Sequence, residues 1–296
     1  MTADAQTSAP TPTTPSITII ICTVENSGRE ERLRTVLDHL REQLHVTVEI
    51  ILVWQGWDVA NAPSFPGVRV LPLTIWSSSL ARNKGAELAS HPFLCFLDDD
   101  TYPVGDTALH DAIALLERDR LDFLACNIRS EGAVQAADPI AADIDFSPKT
   151  IIGNMWEPGV TIRTDAFRAT GFDPTLGIGC IHGSSEGLDF GLRLLAAGYR
   201  GRRVAGLLVD HPPLPANDTI KLDRSFFYAL GNGAVLVQHK LYSTYAWQLT
   251  KSIGRFFVSL LKGDATRTRA AAIRSFCLVL GPIVPRGTPL IVPRRK

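Results

Sequence analysis

The chain has 296 residues, 45% of them hydrophobic, and its 30 Lys plus Arg balance 30 Asp plus Glu. That length suits one large α/β domain or a domain with an appendage, and the neutral balance excludes a chain that is polycationic or polyanionic throughout. Five dispersed cysteines (Cys22, Cys95, Cys126, Cys180 and Cys277) lack CxxC spacing, which argues against a disulfide framework or a zinc site and for a reducing, cytoplasmic setting.

Residues 1–15, MTADAQTSAPTPTTP, are small, polar and proline-rich, and read as a disordered tail without the basic start and apolar stretch of a secretory signal. ITIIIC at 17–22 is a short β-branched run, the pattern of a strand buried on both faces. Ser27 and Glu30 have capping-box spacing, and Leu33, Val36, Leu37, Leu40 and Leu44 recur on one helical face. VEIILVW at 48–54 predicts a second strand and VRVLPL at 68–73 a third. A helix is expected over 79–89, a strand at FLCFLD, a helix over 107–119 and a strand at DFLACNI. This alternation predicts a mostly parallel sheet flanked by helices. No internal repeat is visible. Neither GxGxxG nor GxxxxGK[ST] occurs, which argues against a dinucleotide dehydrogenase or a P-loop enzyme.

The stretch FLCFLDDDTYP ends an apolar strand in Asp98, Asp99 and Asp100. Three adjacent carboxylates repel one another unless they are solvated or share a cation. In parallel sheets ligands bind beyond the carboxyl ends of the strands, where these acids fall. A strand simply reaching the surface gives the same pattern.

Four blocks in order resemble the family 2 glycosyltransferases. They are ITIIICTVENSGREERLRTVLDHLREQ, EIILVWQG, LARNKGAELASHPFLCFLDDD and GFDPTLGIGCIHGSSEGLDFGLRLLAAGYR, and the similarity covers roughly residues 16–212. The resemblance implies a GT-A-like α/β fold, a DxD motif, Mg²⁺ or Mn²⁺, a nucleoside-diphosphate sugar as donor, and inversion at the anomeric carbon. It makes Asp100 the direct metal ligand, with Asp98 and Asp99 shared between metal and donor ribose. His211 becomes a metal or diphosphate ligand, although a histidine in HPP is otherwise a loop residue.

Arg82 and Asn83 would shape the donor pocket, with a surface charge and a helix-start hydrogen bond as their plain alternatives. Glu186 is the candidate general base, although a Glu in a first helical turn is favoured in any case. Asp189 and Arg193 have the spacing of an ordinary i, i+4 ion pair. Asn154 and Trp156 would contact the acceptor or sugar, although a tryptophan can equally be packed. Three departures stand out. Trp54 and Gln55 replace an acidic residue at the nucleobase, Glu25 stands nearby, and Gly187 replaces the aspartate expected after Glu186.

From Pro213 onward thirteen Lys plus Arg face three Asp, a charge of +10, so residues 1–212 carry −10. Within 246–262, Lys251, Ser252, Arg255, Ser259 and Lys262 share one helical arc. Leu249, Ile253, Phe256, Phe257, Leu260 and Leu261 share the other. This predicts a basic amphipathic helix lying on an anionic membrane. Packing against the main domain would give the same pattern, and nucleic acid is disfavoured as a partner because no recognisable module is present. FCLVLGPIVP at 276–285 is too short to span a bilayer, so attachment without crossing is expected.

The expected organisation is a tail over 1–15, a GT-A domain over 16–212 with nucleotide-sugar (16–130) and acceptor (131–212) halves, and a basic membrane-associating extension over 213–296. The expected activity is metal-dependent inverting glycosyl transfer to a glycan or lipid-linked acceptor in polysaccharide or glycolipid synthesis, by a cytoplasmic, peripherally attached enzyme. The alternatives are a non-catalytic nucleotide-sugar-binding partner and a nucleotidyltransferase.

Overall fold

A computed structural model of the chain describes residues 14–130, 140–212, 218–287 and 290–291. Most of the tail expected over 1–15 lies outside the described residues. The first half comprises β1 (Ser16–Val24), α1 (Glu30–Arg41), β2 (Thr47–Gln55), β3 (Val68–Leu73), β4 (Ile75–Trp76), α2 (Ser78–Glu87) and β5 (Phe93–Asp98). It continues through β6 (Tyr102–Pro103), α3 (Ala108–Arg118) and β7 (Phe123–Arg129). The second half comprises β8 (Ile144–Asp145), β9 (Val160–Arg163), α4 (Thr164–Thr170), α5 (Glu186–Ala196) and β10 (Gly201–Asp210). Three long helices follow, α6 (Asp218–Gln238), α7 (Tyr242–Leu261) and α8 (Ala265–Leu280), and then β11 (Leu290–Ile291), which pairs with β4.

The main sheet has the order β3-β2-β1-β5-β9-β7-β10-β6, with β8 against β10. β1 sits at its centre because Ile17, Ile19, Ile20 and Ile21 offer apolar β-branched side chains to both faces, and all four are fully buried. One face is covered by α1 and α3 through Leu33, Val36, Leu37, Leu109 and Ile113. The other is covered by α2, α4 and α5, where Phe96, Phe167, Phe172 and Phe190 form an aromatic cluster. β1, β2, β3 and β5 run parallel, as do β7 and β10. β9 runs antiparallel to both β5 and β7, which the alternating pattern did not predict.

Two local expectations for α1 are corrected. There is no capping box: the helix starts at Glu30 behind Arg29 without a side-chain cap, and the Ser27 hydroxyl accepts from the Arg29 backbone N–H instead. Leu44 does not extend the buried face, because α1 stops at Arg41 and the chain then turns. Gln43 points inward in its place, donating to Gly105 O and accepting from Leu109 N.

The C-terminal helices pack onto the main domain. The Ser184 hydroxyl donates to Tyr228 O, and His182 Nε2 lies 3.0 Å from Gly281 O. Arg286 pairs with Asp173. α7 and α8 form a hairpin whose seam is small and polar: Ser252 donates to Ala271 O and accepts from Ser275, and Tyr245 reaches Leu278 O. Ser252 and Ser259 are therefore buried instead of belonging to a solvated basic arc, since only small side chains allow the two backbones this close. Ile253, Phe257, Leu260 and Leu261 point outward and are exposed, whereas Leu249 and Phe256 are partly covered. Among the described residues no helix is long and apolar enough to cross a membrane.

Candidate active site

The carboxyl ends of β1, β5 and β10 open into a cleft of about 1110 Å³. Thr101 shapes the acidic turn beyond β5: its hydroxyl accepts from Asp98 N and donates to Asp98 O, closing the backbone turn that carries the three carboxylates. Asp98 meets Arg82 at 3.0 Å. Asp99 accepts from the Thr23 hydroxyl at 2.6 Å and from Arg29 at 2.8 Å. Asp100 lies 3.1 Å from Arg29 by one oxygen, while its buried Oδ1 has no hydrogen-bond partner. Two arginines thus offset much of the repulsion that the bare sequence poses.

Asp98, Asp100 and His211 each bring a ligand atom within 4.8 Å of the others. His211 Nδ1 lies 2.7 Å from Pro212 O, an acceptor only, so Nδ1 donates there and Nε2 is the ring nitrogen left to meet a cation. Burial pushes the Asp100 carboxyl above the usual range, with Arg29 opposing and Asp98 adding to the rise. Two carboxylates, one with an orphaned buried oxygen, plus one imidazole fit a hard divalent cation such as Mg²⁺ or Mn²⁺. Asp99 stands apart from this cluster, its oxygens committed to Thr23 and Arg29.

Arg82 is buried between the two sides of the cleft. Besides Asp98 it approaches Glu186 Oε1 at 3.7 Å and stacks over the Phe172 ring. Burial opposes its charge, but Asp98, Glu157 and Glu186 outweigh that and raise its pKa. Glu186 opens α5, accepts from the Ser78 hydroxyl at 3.4 Å and is 7% exposed. Burial, then the neighbouring Glu157, pushes its carboxyl up to about 8, with Arg82 opposing. Glu157 is raised as well, by burial against the pull of Arg82. Asp189 lies outside this group, paired with Arg193 and His239 at 2.8 Å each.

Trp156 lines the cleft with 38% of its surface exposed, so an aromatic face is presented there. Three other sequence candidates have their polar atoms turned elsewhere. Asn83 clamps both the N–H and the C=O of Phe172. Gln55 accepts from Ser77 N, and Asn154 bridges Thr150 O and Arg203. Trp54 is buried with its ring folded over Gly56, where an added Cβ would sit 1.9 Å away. None of these four lines the cleft. On the β2 side it is lined instead by Glu25, which accepts from Trp57 N, and by Trp57 itself.

Sequence reasoning missed Arg29, Trp57, Glu157, Arg224, Tyr228 and Arg274, all of which line the cleft. Applying the strand-end rule to β1 and β2 would have flagged Arg29 and Trp57. Arg224, Tyr228 and Arg274 come from α6 and α8, which no local pattern places against the sheet.

The model of the family described as Glycosyl transferase family 2 matches residues 18–175, more than half of the chain, and the chain belongs to that family. It is 29% identical over 161 residues to the uncharacterized glycosyltransferase YibD of Escherichia coli K12, a match covering 51% of this chain and 40% of that relative's length. Among solved structures it is similar to S. aureus TarS 1-349, with 15% identity, a TM-score of 0.55, and 88% of this chain and 91% of that one covered. The crystal structure of TarS 1-349 in complex with UDP-GlcNAc aligns at a TM-score of 0.53 with 16% identity, covering 75% of this chain and 66% of that one. These likenesses place the curled, mostly parallel sheet among GT-A glycosyltransferase structures.

Proposed function

We propose that the chain transfers a sugar from a uridine diphosphate donor to a hydroxyl of a membrane-held, anionic acceptor, with inversion at the anomeric carbon. The observation that carries this is the Asp98, Asp100 and His211 cluster at the strand ends, facing a cleft wide enough for a nucleotide sugar. A Mg²⁺ or Mn²⁺ ion held there would neutralise charge developing on the departing diphosphate. TarS crystallised with UDP-GlcNAc and with UDP, which favours a uridine nucleotide. Arg29 ties Asp99 and Asp100 into one arrangement, and Arg82 does the same for Asp98 and the carboxylates at α5. Trp156 offers an apolar ring face to a sugar.

The opposite wall supports the choice of acceptor. Arg224 and Arg274 both line the cleft, and among the described residues no carboxylate pairs with Arg274. Burial and then Arg255 lower the Arg274 pKa, the mark of a cation lacking its counter-charge. A phosphate on the acceptor would supply it. On the outer side of the same hairpin the exposed apolar face of α7 adjoins Lys251, Arg255 and Lys262, a combination suited to an anionic lipid surface.

Calorimetry of the full chain with Mn²⁺ and UDP, then with UDP-GlcNAc, tests this. Binding that needs the metal and disappears in Asp98→Ala and Asp100→Ala is expected. Metal-independent binding, or none to either nucleotide, would overturn it. Release of pyrophosphate in place of UDP during turnover would make the protein a nucleotidyltransferase.

A further inference from the structure

Two carboxylates, not one, converge on the N-terminus of α5. Glu157 belongs to the loop just ahead of β9. Because β9 is antiparallel to β5, with Val160 beside Phe96, the residues preceding it emerge at the same sheet edge as Asp98. There Glu157 lines the cleft, and its Oε1 accepts from Gly187 N at 2.6 Å. An added Cβ on Gly187 would lie 2.1 Å from that Oε1 and 2.7 Å from Cδ. The carboxylate of Glu157 thus fills the volume that a side chain at 187 would take.

Glu186 is turned differently. Its carboxyl lies against Ser78, Arg82 and Gly177, where an added Cβ on Gly177 would sit 2.8 Å from Cδ. Glu157 has one oxygen on Gly187 N, and its own backbone N–H also favours the ionised carboxyl. Burial raises both carboxyls above the usual range, and Arg82 opposes that rise at each.

We propose that Glu157 takes the proton of the acceptor hydroxyl, while Glu186 is a positioning residue acting through Arg82. This rests on the glycosyl-transfer reading above. In the step, the acceptor O–H bond breaks and its proton passes to the Glu157 carboxylate as the oxygen bonds to the anomeric carbon. The bond from that carbon to the diphosphate oxygen breaks, and its electron pair leaves with UDP. Nothing is oxidised or reduced. The missing carboxylate at 187 is thereby supplied from a different loop, onto the same spot.

Glu157 also serves α5 mechanically, because Ser185 provides no side-chain cap. Glu157→Gln separates the two roles: its amide oxygen can still accept from Gly187 N, but it no longer takes a proton. The experiment measures Mn²⁺-dependent UDP release by the full chain from UDP-GlcNAc, UDP-glucose and UDP-galactose, with water as acceptor, together with UDP affinity and melting temperature. E157Q should lower kcat about a hundredfold or more, the scale of a lost general base, with donor KM, UDP affinity and melting unchanged. E186Q should cost far less in kcat. In Glu157→Ala combined with Gly187→Asp, the new side chain has room, and turnover should return to at least a tenth of wild type. E157Q within threefold of wild type, or a double variant no more active than E157A, would overturn the assignment and leave the family function standing. Wild type without metal-dependent UDP release from any of the three donors would instead overturn the glycosyl-transfer reading, and this assignment with it.

Discussion

Replacing Phe257 and Leu261 by serine should detach the protein from anionic membranes without altering its fold. Both side chains point away from the α7/α8 seam, at 56% and 88% exposed. Fully burying such a side chain is worth about 1.5–3 kcal/mol, so scaling by exposure gives about 3 kcal/mol for the pair. That corresponds to about a hundredfold in partitioning. Lys251, Arg255 and Lys262 flank this face and should add about 1 kcal/mol each near an anionic leaflet, a contribution that salt removes. Sedimentation with vesicles of phosphatidylcholine containing phosphatidylglycerol, against pure phosphatidylcholine, reads both parts. The serine pair should weaken binding to either vesicle. Replacing the three basic residues with glutamine should affect the anionic vesicle alone. Equal sedimentation of wild type and the serine pair on anionic vesicles would refute the membrane contact. A wild type that sediments with neither vesicle but dimerises through this hairpin would show that a second copy covers the face instead.

Glu186 sets a pH dependence of stability. Its folded pKa of about 8 lies above the ordinary 4.5, so the folded chain holds a proton that the unfolded chain releases. The stabilisation is complete below pH 4.5 and is lost as pH rises through about 8. Urea denaturation across that window should show this decline in wild type and a flatter profile in Glu186→Gln; identical slopes would sink the account. Asp189→Asn should cost about 3 kcal/mol in the same assay, because it leaves the buried side of the Arg193 and His239 contacts without its carboxylate. Arg274→Ala should raise the acceptor KM for a phosphate-bearing acceptor while leaving UDP affinity unchanged. A shift in UDP affinity would instead place Arg274 on the donor side.

The sequence was most informative where one physical rule acted alone. A β-branched run such as ITIIIC has few places to go except the middle of a parallel sheet. Acids or a histidine just past a strand then fall at the ligand edge, which placed Asp98, Asp100 and His211 there, while their grouping as metal ligands came from the resemblance to family 2 glycosyltransferases. Gln55, Asn83 and Asn154 show the opposite case. Each is polar and near a strand or helix end, but its capacity is used by a backbone or side-chain group that only the tertiary fold brings near. Glu157 was hidden for a topological reason. A residue preceding a strand belongs at the far edge of a parallel sheet, and only the reversal of β9 moves it to the ligand edge. The serines of α7 were hidden for a steric reason: their polarity suggested solvent, whereas their small size was what the helix seam required.

The position of α6 and α8 changes what the C-terminal third means for the molecule. Because Arg224, Tyr228 and Arg274 belong to the same helical assembly that carries the greasy outer ridge of α7, anything that seats on that ridge pulls directly on a wall of the cleft. Cutting that assembly away would unroof the cleft, so the ridge and the hollow behind it stand or fall together.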